Sequence, residues 1–133
     1  MIFTNSDGGS RGNPGPAAIG VIVRKDEEIL TKFSARIYDC TNNVAEYHGL
    51  IKALELASKY TGDEVVCVLD SELLVKQLLG EYSVKSKDLL PLFLKVQKLQ
   101  DNFKTIKYVH VPRWNKFQKV VDKLLNQELD RRD

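Results

Sequence analysis

The sequence is poor in the residues that build specialised scaffolds. Its 133 residues include two cysteines, four prolines and eight glycines, which excludes a disulfide-stapled scaffold, a collagen-like repeat and a low-complexity chain. Cys40 and Cys67 lie far apart and neither belongs to a CxxC pair, so the spacing argues against zinc and for two reduced thiols in a cytoplasmic protein. No stretch approaches the roughly 18 uninterrupted apolar residues of a membrane span. Met1 to Asp7 lacks the basic and apolar segments of a signal peptide. A dominant charge is missing too: 20 Lys and Arg face 18 Asp and Glu, for a formal net charge of +2. Many nucleic-acid binders show a clear basic excess; here the composition offers none.

What remains is ordinary globular composition, 43% hydrophobic and 29% charged, with no linker or repeat. The expectation is a single domain over residues 1–133, long enough to bury about two-thirds of its unfolded surface. Ile2–Ser6 reads as a strand running into the Gly/Pro-rich stretch 8–16. Ala18–Arg24 and Ile29–Ile37 read as two more strands around a polar turn at 25–28, which makes an antiparallel meander. Asn42 or Asn43 offers an N-cap, with Glu46 placed as a capping-box acid, for a helix over Val44–Lys59. Val65–Leu69 is a continuous apolar run, as in a strand buried on both faces. Helices over Ser71–Leu79 and about Ser86–Asn102 follow, then a strand over Ile106–Val111. A last amphipathic helix, Trp114 to about Leu129, carries Trp114, Phe117, Val121 and Leu124. His110 reads as a strand residue, and Asp130 to Asp133 as a frayed tail. The order βββαβααβα predicts an α/β fold with a mixed sheet and helices packed on its faces.

Four carboxylates break this pattern. Asp7 sits where the first strand meets the glycines. Asp70 ends the most hydrophobic strand, where open α/β sheets place ligands. At about 100° per residue, Glu46 shares a stripe with Leu50, Ala53 and Ala57, and Asp122 borders the apolar stripe of the last helix. Each has a local explanation: a turn former, a capping-box acid, an N-cap, a solvated helix residue. A single explanation covers all four. They converge at the ends of adjacent strands, where crowded carboxylates repel unless a hard divalent cation sits among them.

These residues carry a family resemblance. Asp7-Gly8-Gly9-Ser10-Arg11-Gly12-Asn13-Pro14-Gly15-Pro16, Thr41-Asn42-Asn43-Val44-Ala45-Glu46-Tyr47, Leu69-Asp70-Ser71-Glu72-Leu73-Leu74-Val75, Gly80 to Lys85, and His110-Val111-Pro112-Arg113 with Val121-Asp122-Lys123-Leu124 together resemble ribonuclease H, type 1, in its compact bacterial and archaeal branch. The resemblance implies the ribonuclease H-like fold: a five-stranded mixed sheet, three antiparallel strands and then parallel ones, with helices on both faces. It implies cleavage of the RNA strand of RNA–DNA hybrids by two Mg²⁺ or Mn²⁺ ions, leaving 5′-phosphate and 3′-hydroxyl ends. Asp7, Glu46, Asp70 and Asp122 match the metal-binding acids. Gly8, Gly9, Gly12, Asn13, Thr41, Asn42, Asn43 and Ser71 match substrate-contacting positions, and the same residue types also serve as turn and cap formers. The partner implied is a hybrid duplex, with no membrane, and the protein is expected to be a monomer.

The chain departs from the family pattern in three places. Glu72 stands where a glutamine is common. The loop Pro112–Lys119 lacks the usual histidine, for which Arg113 stands in. Arg113 is also farther from Asp122 than the branch usually has it. The alternatives are a same-fold nuclease acting on double-stranded RNA or another duplex, and a weakly catalytic nucleic-acid-binding module. Assigning four acids to one site leaves 14 acids against 20 basic residues, so a metal-loaded protein would present a basic surface despite its formal +2.

Overall fold

The computed structural model describes residues 1–131. Five strands form one sheet: β1 (Ile2–Ser10), β2 (Gly15–Lys25), β3 (Glu28–Cys40), β4 (Glu64–Leu69) and β5 (Thr105–His110), in the order β3-β2-β1-β4-β5. The first three are antiparallel; β4 lies parallel to both β1 and β5. Four helices complete the fold: α1 (Asn42–Ala57), α2 (Glu72–Leu78), α3 (Leu90–Gln100) and α4 (Lys116–Asp130).

The first hairpin is longer than local sequence suggests. β1 does not stop at Ser6 but runs through Gly8 and Gly9, because every residue from Ile2 to Ser10 finds a partner on β2. Asp7 therefore lies inside a strand, opposite Gly20, and is not a turn former. The turn itself is confined to residues 11–14, with Gly12 at φ 113°.

The two faces are covered unequally. α1 packs on β1 and β2 and is backed by α2 and α3, enclosing Tyr47, Leu50, Leu54, Val65, Cys67, Leu69, Leu74 and Val96. Full burial of each Leu or Val in such a core contributes about 1.5–3 kcal/mol. Among the described residues α4 alone packs on the opposite face, setting Val121 and Phe117 on Ile22, and Leu125 and Leu129 on Ala18. β2 is thus covered on both sides, and Ala17 to Val23 are all buried. The edge strand β5 leaves Lys107 and Val109 exposed.

The helix starts differ from the expected ones in ways that bear on the site. The N-cap of α1 is Thr41, whose hydroxyl accepts from the Val44 amide, so neither asparagine caps the helix and Glu46 is no capping-box acid. Ser71 caps α2, accepting from the Leu74 amide; Asp70 is therefore free of that duty. α3 begins only at Leu90, after a turn closed by the Ser86 hydroxyl. Asn115 caps α4 through the Phe117 and Gln118 amides, which leaves Trp114 outside the helix and 73% exposed. At the far end Asp130 is still helical, and Arg36 donates to the terminal carbonyls of Glu128, Leu129 and Arg131. Of the expected frayed tail, Arg132 and Asp133 lie outside the described residues.

Candidate active site

β1 and β4 pair only from Ile2 to Asn5, opposite Val65 to Val68, while β1 continues along β2. The β1–β4 seam therefore opens at its carboxyl end, and continuing its register sets Asp7 level with Asp70. This opening is where ligands collect in sheets with parallel central strands. A cavity of about 370 Å³ sits there, lined by Asp7, Glu46, Asp70, Asp122 and Arg113 among others.

Glu46 arrives from α1 because two glycines let the helix sit on the strand. A Cβ on Gly8 would lie 2.2 Å from the backbone of Ala45, and one on Gly49 would lie 2.9 Å from the carbonyl oxygen of Asp7. α4 approaches in a similar notch on the other face: a Cβ on Gly20 would lie 2.2 Å from the Val121 carbonyl oxygen. The first turn of α4 is pinned by a buried polar chain. Asn5 donates to Gln118 at 3.0 Å, Gln118 donates to the Ser6 carbonyl at 3.2 Å, and Arg24 donates to Asn5 at 2.8 Å while stacked between Phe3 and Phe117.

Asp7, Glu46 and Asp70 each offer one carboxylate oxygen within 4.8 Å of the other two. Asp122 lines the same cavity but its carboxylate stands outside that group of three among the described residues. The crowding has electrostatic consequences. Burial, then the carboxylates of Asp70, Glu46 and Asp122, push Asp7 up to about 8 against the opposing Gly8 amide. Burial pushes Glu46 up to about 7; the Ser71 hydroxyl opposes this, and Asp70 adds to it. Asp70 is raised by burial, with Arg113 and His110 working against the rise. The buried Glu46 Oε2 has no hydrogen-bond partner. Three hard oxygen donors, from residues one of which carries an unpartnered buried oxygen, fit a divalent cation.

The other sequence-selected residues divide into two groups. Gly8, Gly9 and Asn42 line the cavity with the acids; Gly12, Asn13, Thr41, Asn43 and Ser71 do not. Asn13 and Asn42 tie the hairpin turn to α1: the Asn42 amide donates to Asn13 Oδ1 at 3.0 Å, and Asn42 Oδ1 accepts from the Ser10 amide at 2.8 Å. Thr41 faces a neighbouring hollow with Pro14, Tyr38, Cys40, Val44 and Asp88. Asn43 is half-buried in the first turn of α1. Ser71 touches the site through Glu46. Sequence reasoning did not select Ser10, Arg11, Leu125, Asn126 and Leu129, which also line the cavity. The i, i+4 spacing of Asp122 and Asn126 was the available signal for Asn126.

Residues 5–127 match the family model described as "Reverse transcriptase-like". The chain is 40% identical over 131 residues to the bifunctional protein Rv2228c of Mycobacterium tuberculosis, covering 97% of this chain and 35% of that protein. The N-terminal RNase H domain of Rv2228c, solved as a fusion with maltose-binding protein, superposes with a TM-score of 0.91 at 40% identity, covering 97% and 93% of the two chains. Ribonuclease HI of Halobacterium salinarum is 40% identical over 125 residues, 93% of this chain and 62% of that protein. A crystal structure of RNase H1 from the same archaeon gives a TM-score of 0.90 at 35% identity, covering 97% of both chains. LC11-RNase H1, solved in complex with an RNA/DNA hybrid, gives a TM-score of 0.90 at 38% identity over 98% and 97% of the two chains. The chain spans about a third of the mycobacterial protein and just under two-thirds of the halobacterial one.

Proposed function

The chain belongs to the ribonuclease H type 1 family, and on that premise we propose that residues 1–133 form one catalytic domain that hydrolyses the RNA strand of RNA–DNA hybrids. The observation that carries this reading is the carboxylate trio of Asp7, Glu46 and Asp70 at the open end of the β1–β4 seam, in which Glu46 also has a buried oxygen without a hydrogen-bond partner. The residues that would hold divalent metal are these three, with Asp122 as the fourth. Bound there, two Mg²⁺ or Mn²⁺ ions would supply an activated water and a charge clamp on the leaving oxygen, giving 5′-phosphate and 3′-hydroxyl ends.

The chain's own residues account for the rest. Burial raises Asp7, Glu46 and Asp70 alike, so these three ionise together most readily beside compensating positive charge, which favours cations and their phosphate ligands. Arg113, exposed on the cavity rim, meets the scissile phosphate and steadies its developing charge. Gly8 and Gly9 open the strand backbone to the minor groove of the hybrid. Asn13, Asn42 and Asn43 line the groove that senses the ribose 2′-hydroxyl, Gly12 lets backbone amides approach it, Thr41 serves the phosphate-binding pocket, and Ser71 follows the third acid; for Asn13 and Asn42 the hydrogen bonds to the hairpin turn and α1 support this role by fixing the groove wall. Cys40 and Cys67 are buried free thiols, which favours a reducing compartment such as the cytoplasm; no helix among the described residues is long and apolar enough to cross a membrane.

The test is a cleavage panel: labelled RNA–DNA hybrid, double-stranded RNA and double-stranded DNA, each with Mg²⁺, Mn²⁺ or Ca²⁺. The expected result is cleavage of the hybrid's RNA strand with Mg²⁺ or Mn²⁺. Asp70→Asn should lower that rate by about a thousandfold or more, with thermal stability unchanged or higher because a repelling carboxylate is gone. Wild-type-like cleavage by this variant would overturn the metal-centred reading, and preference for double-stranded RNA would reassign the substrate.

A further inference from the structure

The carboxylate of Asp122 is engaged by a side chain of its own helix. Asn126, one helical turn on, donates from Nδ2 to Asp122 Oδ1 at 3.2 Å and to the Asp122 carbonyl at 2.9 Å. The other end of the same amide, Oδ1, accepts from Arg11 Nη2 at 3.4 Å, and Arg11 Nη2 lies 2.6 Å from Asp130 Oδ1. Asp122, Asn126 and Asp130 thus form an i, i+4, i+8 stripe on α4 facing the β1–β2 turn, and Arg11 comes from that turn to meet it.

An asparagine amide has one accepting and one donating end, and a guanidinium only donates. With Arg11 on one side, the oxygen must face Arg11 and the NH₂ must face Asp122. The Asp122 carboxylate and carbonyl only accept, so they require the same orientation, and Arg11 reinforces it from the other side. Asp130 neutralises Arg11 and keeps it at this post.

We propose that Asn126 is a positioning residue for Asp122, and that Arg11, paired with Asp130, holds the Asn126 amide in the orientation that Asp122 requires. The relay fixes the Asp122 rotamer at the cavity wall, so that the fourth carboxylate meets the trio from one direction. The proposal rests on the metal-dependent reading of the same site. Hydrogen-bond partners of metal-binding side chains change affinity or rate by about 10- to 100-fold when removed.

The test combines hybrid kinetics, calorimetric Mn²⁺ binding without substrate, and NMR of the Asn126 side-chain amide in metal-free protein. Asn126→Ala should lower kcat by about tenfold with KM within about twofold, and should weaken Mn²⁺ binding. In an Asp122→Asn background the same substitution should change Mn²⁺ binding no further. Arg11→Leu should shift and broaden the Asn126 amide signals and lower kcat by about threefold, and should add nothing to Asn126→Ala. A KM-only effect, an undiminished Asn126→Ala effect on Mn²⁺ binding in the Asp122→Asn background, or Asn126 signals indifferent to both Arg11→Leu and Asp122→Asn would overturn the relay. The NMR arm decides the relay even if the wild-type protein neither binds Mn²⁺ nor cleaves hybrid, a result that would instead defeat the proposed function.

Discussion

Glu46 and Asp122 reach one cavity from opposite faces of the sheet, and their backbones get there by the same device. Gly8 and Gly49 admit α1 to the sheet, and Gly20 admits α4. The two side chains are then treated differently. Glu46 is drawn into a trio and keeps a buried oxygen without a partner. Asp122 remains outside the trio, with one oxygen taken by Asn126. Helix docking therefore sets how near a carboxylate can come, and the hydrogen bond from Asn126 sets the direction in which Asp122 presents its oxygens.

The largest test of this comparison is to fill the notches. Gly8→Ala sets a methyl against the Ala45 backbone, and Gly20→Ala sets one against the Val121 carbonyl. Backbone cannot yield as a flexible side chain does, so each should cost about 3 kcal/mol in chemical denaturation. Their functional costs should differ. Gly8→Ala moves Glu46 out of the trio and should abolish Mn²⁺ binding; Gly20→Ala displaces Asp122 and should weaken binding while leaving part of it. Equal loss of Mn²⁺ binding in the two variants would mean that Asp122 matters as much as the trio.

The next effect is on pH dependence. Asp7 at about 8 and Glu46 at about 7 both lie above their ordinary values of 3.8 and 4.5. Between those limits the folded, metal-free protein holds more protons than the unfolded chain, so stability must fall as pH rises. The melting temperature in a chelator should decline from about pH 5 to about pH 8 and then level off. Mg²⁺ binds the deprotonated acids, so the gap between metal-loaded and metal-free melting temperatures should widen over the same range. Asp7→Asn should flatten the metal-free profile; a metal-free protein that gains stability from pH 5 to 8 would contradict the crowding of the trio.

The legibility of the sequence followed the range of the interactions involved. Val65–Leu69 is a strand in isolation and in the structure, because an apolar run bounded by polar residues has few other uses. The four acids were visible as violations of local pattern. The continuation of β1 through Gly8 and Gly9 was hidden, because it depends on pairing with Ala18 and Ile19, and glycine alone reads as a turn. Thr41 rather than Asn42 caps α1 because the Asn42 side chain is occupied by Ser10 across the hairpin. Arg11 and Asn126 are common surface types; their meaning is a contact between residues at opposite ends of the chain.

Arg113 offers a moderate test. It is exposed at the rim and its charge already offsets the rise in the Asp70 pKa. A cation that serves a developing phosphate charge should matter more in the transition state than in the bound hybrid. Arg113→Ala should therefore lower kcat by about tenfold and raise KM by less. Equal losses in both would reduce Arg113 to a phosphate contact.

The smallest expected effect belongs to Glu72, the residue that begins α2 just beyond Ser71. Its carboxylate projects into solvent and pairs with Lys76 at 2.9 Å, and that pairing holds it below the usual carboxylate range. It stands near the trio in sequence but is turned away from it, because Ser71 takes the cap and lies against Glu46. A negative charge at that point repels a polyanion only through screened solvent. Glu72→Gln should lower KM for hybrid by about twofold at low salt and leave kcat unchanged, and the gain should vanish as ionic strength approaches about 1 M, where the screening length falls to about 3 Å. Mn²⁺ affinity should not move. A change in kcat or in metal binding would show that the α2 start transmits to Glu46 through Ser71, and the trio would then depend on side-chain neighbours as Asp122 does.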